Sequence, residues 1–428
     1  MTAEAVHAGW ATAEITPDLP CWMGGYGDRT EPASAIHDPL YANALALGDP
    51  AVPFIVVVCD LVAVDANLVR SVREQIATAI PGATVWLSAT HTHSGPDVGR
   101  LLSHQEPPAA VVERIVSGAT EAASEAARHM RTVRAAWASD VVQNVASNRD
   151  HPGSNEEITL DLLCLYAESD ASGAPSAVFG SFPCHPTVLG AANYAISADL
   201  PGAYRRQLRS RLGAETWLAL ATGASGDIST RHLRQGQGFD ELERLGQLLA
   251  EAAEHSIATA RPLRLAQPIT RDDTVALQHK EPMDTRTLAE ATERLSQQRA
   301  AALDRGDTGQ ARTLETVLQG IRGAQRVGAV QRSAPPALTI AAARLGELAL
   351  VAVPGELYNH LGAEIRHGAG GPALMLGYTN GYAGYLPTRE AYQSLDYEVL
   401  MSPFAAGAGE DIVAAALRLL RDTKVVDQ

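Results

Sequence analysis

The sequence is short of the features that assign a protein quickly. Its 428 residues include four cysteines, Cys21, Cys59, Cys164 and Cys184. None are spaced C-x-x-C, which argues against a thiolate metal site or a disulfide scaffold. Cys59 and Cys164 fall in apolar strand-like runs, where buried free thiols are usual. Aromatic residues make up only 5%, so no membrane-docking surface stands out. No apolar run approaches the ~18 residues of a membrane span. The amino terminus, Met1-Thr2-Ala3-Glu4-Ala5-Val6-His7, lacks a basic stretch followed by an apolar one, so no signal peptide is read and a reducing, cytoplasmic setting is expected. Positive charge is scarce: 34 basic residues face 49 acidic ones, a net −15. That balance excludes a nucleic-acid backbone or an anionic membrane as the main partner.

What remains is a globular chain, 46% apolar, long enough to bury a large core. Strand-like runs at 41–47, 54–59, 84–87, 158–166, 177–182, 217–221, 348–353 and 373–376 alternate with helical stretches at 65–80, 110–129, 200–212, 239–260 and 409–422. The alternation predicts an α/β fold, a layered mixed β-sheet with helices. One domain over 1–428 is expected, with a helical hairpin at about 284–324 that turns near Asp304-Arg305-Gly306-Asp307. The hairpin reads as an ordinary packed pair, or as an insertion that caps a site or meets a second subunit; a homo-oligomer stays open.

Polar residues recur just after strand ends: Asp60, His91, His93, His185, Asp227 and Glu356. Ligand sites in open α/β sheets form at that edge, so the site is expected at the strands' C-terminal ends. The densest stretch is Ser88-Ala89-Thr90-His91-Thr92-His93-Ser94-Gly95-Pro96. In extended backbone His91 and His93 share a face. Such a pair can hold a metal together, or divide metal and substrate between them. His91, His185 and Glu356 make the two-His, one-Glu set of catalytic zinc, with a position left for water. Each has a blander reading: His185 as a turn cap, Glu356 as a carboxylate in a helix's first turn, Asp60 as a strand end. The loop from Gly377 to Tyr392 carries Tyr378, Tyr382, Tyr385 and Tyr392, whose hydroxyls can ligate a metal, donate to an oxyanion or simply pack. A serine hydrolase using Ser225 in Gly223-Ala224-Ser225-Gly226 is a weaker alternative, because Asp227 replaces the last glycine of G-x-S-x-G.

These residues carry a resemblance. Ala13-Glu14-Ile15-Thr16-Pro17, Met23-Gly24-Gly25-Tyr26, Ile36-His37-Asp38-Pro39-Leu40-Tyr41-Ala42, the Ser88–Pro96 stretch, Asn148-Arg149, Cys184-His185-Pro186-Thr187, Gly226-Asp227-Ile228-Ser229, Val353-Pro354-Gly355-Glu356 and Tyr382-Ala383-Gly384-Tyr385 occur in the order found in the neutral (non-lysosomal) ceramidase family. The chain resembles the N-terminal catalytic domain of those zinc amidases over nearly its whole length. The resemblance implies zinc held by His91, His185, Glu356 and Tyr385, with His93, Arg149 and Tyr397 lining the scissile amide. It implies zinc-assisted attack of water on an amide carbonyl, with His93 and Tyr397 orienting substrate and stabilising the oxyanion. The chain departs from the family in having Thr230-Arg231 after Ser229, and no C-terminal immunoglobulin-like domain is expected. The expected substrate is accordingly a small soluble N-acyl compound or lactam. The alternatives are ceramide itself, an ester or lactone hydrolase or a lyase on the same metal, and a non-catalytic protein that keeps a structural metal.

Overall fold

The β-branched run Phe54–Cys59 folds as a strand with all six residues buried, and burial on both faces sets the architecture. The structure is a computed structural model that describes residues 6–98, 107–167, 173–330 and 337–424. Its larger sheet holds β1 (His7–Glu14), β2 (Tyr41–Gly48), β3 (Phe54–Cys59), β4 (Thr84–Ala89), β5 (Arg131–Val141), β6 (Thr159–Ala167), β7 (Ala177–Phe182) and β8 (Trp217–Thr222). They lie in the order β8-β7-β6-β5-β1-β2-β3-β4, with a short strand Arg261–Leu263 added on β5. Within that order β7–β8 and β3–β4 are parallel and the other pairs antiparallel. A second sheet runs β9 (Ile269–Ala276), β10 (Ala337–Leu345), β11 (Leu348–Ala352), β12 (Ala373–Leu376), with β11–β12 parallel.

The sheets pack face to face. Leu45, Leu47, Phe54, Val56, Trp86 and Phe179 of the first share a core with Leu345, Leu348, Leu350, Leu374 and Leu376 of the second. Helices cover both outer faces. On the larger sheet these are α1 (Ala66–Ala79) and α2 (Ala109–Arg128) over one half, α3 (Asp199–Leu212) and α4 (Phe239–Ala258) over the other. A later pair, Asn359–Gly368 and Ala408–Asp422, covers the smaller sheet. The result is a helix–sheet–sheet–helix sandwich. Doubly covered strands read as unbroken apolar runs, and each buried Leu or Ile contributes about 1.5–3 kcal/mol.

The layered α/β expectation therefore holds, but alternation alone missed strands. β5 is RTVRAAWASDV, half-exposed and mixed in polarity; β9 is ITRDDTVA, with no fully buried residue. Neither has the apolar run that marks a central strand. Asp60 does end its strand, accepting from Tyr41 N at 2.9 Å, and it also takes Arg205 of α3 bidentately at 2.9 and 2.6 Å. No described helix is long and apolar enough to cross a membrane.

The hairpin appears as α5 (Thr285–Asp304) and α6 (Thr308–Val330), turning at Gly306 with φ +74°. Asp284 caps α5 by accepting from Thr287 N at 3.0 Å. Leu288, Ala291, Leu295, Leu318 and Ile321 form its own small core, which closes over Leu400 of the short helix Tyr397–Met401.

Candidate metal centre

The C-terminal ends of the parallel pairs meet at one edge. The chain leaves β4 into His91, β7 into His185, β11 into Glu356 and β12 into Tyr378. Loop hydrogen bonds knit the sheets together there: Thr222 Oγ1 donates to Thr90 O at 2.6 Å, Ala89 N to Tyr378 O at 3.1 Å, and Gly377 N to Thr222 O at 2.9 Å. Site placement at the strand ends follows from this register.

His91 corrects the extended-backbone argument. Its φ is +64°, so the chain turns at His91 and the two imidazoles meet through a left-handed residue, not through strand alternation. A non-glycine residue there costs roughly 1–2 kcal/mol. Part of the compensation is the contact of His91 Nδ1 with Val62 O at 2.5 Å. The His91 and His93 rings meet edge to face at 4.8 Å, with their Nε2 atoms 3.2 Å apart. Behind His93 sits Gly25, φ +94°, where a Cβ would lie 2.3 Å from His93 Cγ; only glycine fits there.

His185 enters from the other sheet half. Its amide donates to Ile228 O at 2.9 Å and its Nδ1 lies 2.6 Å from Ser225 O. A carbonyl oxygen only accepts, so Nδ1 carries the hydrogen in both His91 and His185 and each Nε2 presents a lone pair. Burial pushes His91 down to about 3 and His185 well below the usual histidine range, so both are neutral near pH 7. Glu356 Oε2 is 2.8 Å from His185 Nε2 and 3.7 Å from His91 Nε2. His185 Nε2 is buried without a hydrogen-bond partner. Lone pairs of two imidazoles and a carboxylate converge with no proton between them, an arrangement that a cation satisfies. The nearest ring nitrogens of His91, His93 and His185 all lie within 4.8 Å of one another.

Glu356 is not in a helix's first turn. It opens a two-residue strand, Glu356–Leu357, paired in parallel with Tyr385–Leu386 so that Glu356 and Tyr385 are direct partners; the next helix starts at Asn359. The carboxylate is held by two hydroxyls. Tyr382 donates to Oε1 and Tyr378 to Oε2, the latter at 3.3 Å. Burial and then the charge of Glu356 keep both phenols protonated. Tyr378 also stacks on His91 at 4.1 Å.

The other expected residues gather here too. The Tyr385 ring lies parallel to His185 at 6.3 Å, and its hydroxyl accepts from Arg149 Nη2 at 3.2 Å. Arg149 also donates to Gly226 O at 2.7 Å and pairs with buried Glu398. Tyr397 meets Tyr385 edge-on at 5.9 Å. His91, His93, Arg149, His185, Glu356, Tyr385 and Tyr397 thus occupy one site. The sequence reading missed the roles of Tyr378, Tyr382 and Glu398; the first two lay in the flagged tyrosine loop, without a signal to rank them. Ser225 is no nucleophile in this geometry. Its Oγ is 2.8 Å from Tyr378 OH, and His185 engages its carbonyl instead of its hydroxyl.

Comparisons with known proteins agree with this picture. Residues 7–216 match the family described as neutral/alkaline non-lysosomal ceramidase, N-terminal. The neutral ceramidase of Pseudomonas aeruginosa is 24% identical over 489 aligned positions, covering 96% of this chain and 72% of that protein. Its crystal structure superposes with a TM-score of 0.73 at 22% identity, over 98% of this chain and 75% of that one. A ceramidase complexed with C2 gives a TM-score of 0.76 at 19% identity, over 99% and 76%. The first half of the chain thus matches the neutral/alkaline non-lysosomal ceramidase family, and nearly its whole length is similar in sequence and fold to neutral ceramidases.

Proposed function

We propose that this protein is a zinc-dependent hydrolase of N-acyl amides of the ceramide class. The observation that carries the reading is the convergence of two tautomer-fixed imidazoles on a carboxylate gripped by two tyrosines. His91, His185, Glu356 and Tyr385 would hold the ion. Bound zinc supplies a Lewis acid for the amide carbonyl and acidifies a water to a pKa of about 7.

The chain's own groups do the rest. Val62 O and Ser225 O hold the imidazoles in one tautomer. Burial and the neighbouring imidazole depress the pKa of His93, so its neutral ring can take a proton from attacking water and return it to the leaving amine. The Tyr397 hydroxyl, raised to about 12 by burial, stays protonated and donates to charge developing on the carbonyl oxygen. Arg149 steadies the Tyr385 oxygen.

A smaller soluble amide, expected from the chain's departures from the family pattern, gives way to the ceramide class, because the related proteins are ceramidases and no described feature of the site selects a small substrate. The test is hydrolysis of N-acylsphingosine in detergent micelles beside N-acetyl amino acids, before and after chelation. Fatty-acid release that stops on chelation and returns with zinc supports the proposal. Activity indifferent to metal, or confined to the small amides, overturns it.

A further inference from the structure

Ser225, unsuited to nucleophilic attack, is nonetheless fully buried among the proposed ligands. It follows β8 in the turn Gly223-Ala224-Ser225-Gly226-Asp227. The backbone of that turn is fastened to several parts of the site. Ser225 O lies 2.6 Å from His185 Nδ1, Gly226 N donates to Leu357 O at 2.9 Å, and Gly226 O accepts from Arg149 Nη2 at 2.7 Å. A Cβ on Gly226 would lie 2.5 Å from Glu356 O, so the turn lies directly against the Glu356–Leu357 strand and glycine is required there.

The Ser225 hydroxyl adds a side-chain path to the same strand. Its Oγ is 2.8 Å from the Tyr378 hydroxyl, which donates to Glu356 Oε2 at 3.3 Å. A phenol has one hydrogen, and a carboxylate only accepts. With the Tyr378 hydrogen spent on Glu356, the bond between Ser225 and Tyr378 has one direction left: the serine donates and the phenol oxygen accepts. The chain from Ser225 through Tyr378 to Glu356 is therefore polarised toward the carboxylate, and in a buried setting each bond strengthens the next.

Tyr378 is itself held firmly. It is fully buried, stacks on His91 at 4.1 Å, and keeps φ at +52°. That left-handed conformation is rare for a bulky residue and persists where the surroundings enforce it. Ser225 thus reaches two proposed ligands through different atoms, His185 by its carbonyl and Glu356 by its hydroxyl, while the phenol between them covers the third, His91.

We infer that Ser225 is a positioning residue of the metal centre: its hydroxyl, acting through Tyr378, fixes the Glu356 carboxylate against the imidazole that its carbonyl orients. The inference rests on the ligand assignment of the proposed hydrolase and adds to it a residue outside that ligand set.

The test is the zinc affinity of the full chain, read by competition with a chromophoric chelator, for wild type, Ser225→Ala, Tyr378→Phe and the double variant. Ser225→Ala leaves the carbonyl on His185 and removes only the hydroxyl. Affinity should fall about three- to tenfold, the worth of one hydrogen bond. Tyr378→Phe should cost roughly 10–100-fold. Adding Ser225→Ala to it should change affinity by about 1.5-fold or less, because the hydroxyl then has no phenol to act through. Ser225→Cys, which fills the site with a weak donor, should fall like the alanine variant and serves if that variant does not fold. A lowered thermal midpoint of the metal-free Ser225→Ala chain with unchanged zinc affinity overturns the inference, as does a fully additive loss in the double variant. A wild-type chain that binds no zinc removes the metal reading and this inference together. The expected affinity losses in a chain that hydrolyses no N-acyl amide would leave the role of Ser225 standing and remove the hydrolase reading.

Discussion

Glu356 and Tyr385 face each other as direct partners of a two-residue parallel ladder, so one backbone register sets the spacing of two proposed ligands. The same register brings Tyr382 onto Glu356 and Arg149 onto Tyr385. Ligand placement here depends on loop pairing beyond the sheets, and substitutions should separate metal binding from turnover.

The two histidines of the Thr90–Pro96 stretch should divide in that way. His91→Ala should lose zinc by elemental analysis. His93→Ala should retain it while the rate falls by roughly 10²–10⁴-fold, the range for a lost general acid–base. Loss of metal in both variants would make His93 a ligand as well, an assignment open to it because its Nε2 is 3.2 Å from that of His91.

Removing the hydroxyl on Glu356 should weaken the metal without unfolding the chain. Tyr382→Phe deletes the donor to Oε1, and zinc affinity should fall roughly 10–100-fold, as for other outer partners of a ligand. Competition with a chelator of known affinity measures it. Unchanged affinity would mean that the carboxylate needs no such support.

The helical hairpin should matter to catalysis at a distance. A Cβ on Gly320 of α6 would lie 3.1 Å from Tyr397 Cδ2 and 3.0 Å from Leu400 Cδ1. Gly320→Val should displace Tyr397, lowering the rate by about tenfold or more with zinc content intact. A rate equal to wild type would show that Tyr397 tolerates the shift or takes no part.

Asp227 should leave a pH signature on stability. Burial, then the Glu156 charge, raises it from 3.8 to about 7. Between those values the folded chain holds a proton that the unfolded chain has released, so stability falls as pH rises through that window. Thermal midpoints from pH 5 to 8 should therefore drop further in wild type than in Asp227→Asn. Parallel curves would mean that Asp227 is already ionised when folded.

The sequence by itself determined the doubly covered strands, because burial on both faces demands unbroken apolar runs such as Phe54–Cys59. It also determined that His91, His185 and Glu356 belong near one edge, because each follows a strand. It did not reveal β5 or β9, whose mixed polarity reflects exposure on one side. Nor did it show the left-handed turn at His91, the short ladder that takes Glu356 out of a helix, or the tyrosines that grip its carboxylate. Periodicity records which face of an element meets the core. Which lone pair meets which depends on segments far apart in the chain, and only the tertiary structure decided it.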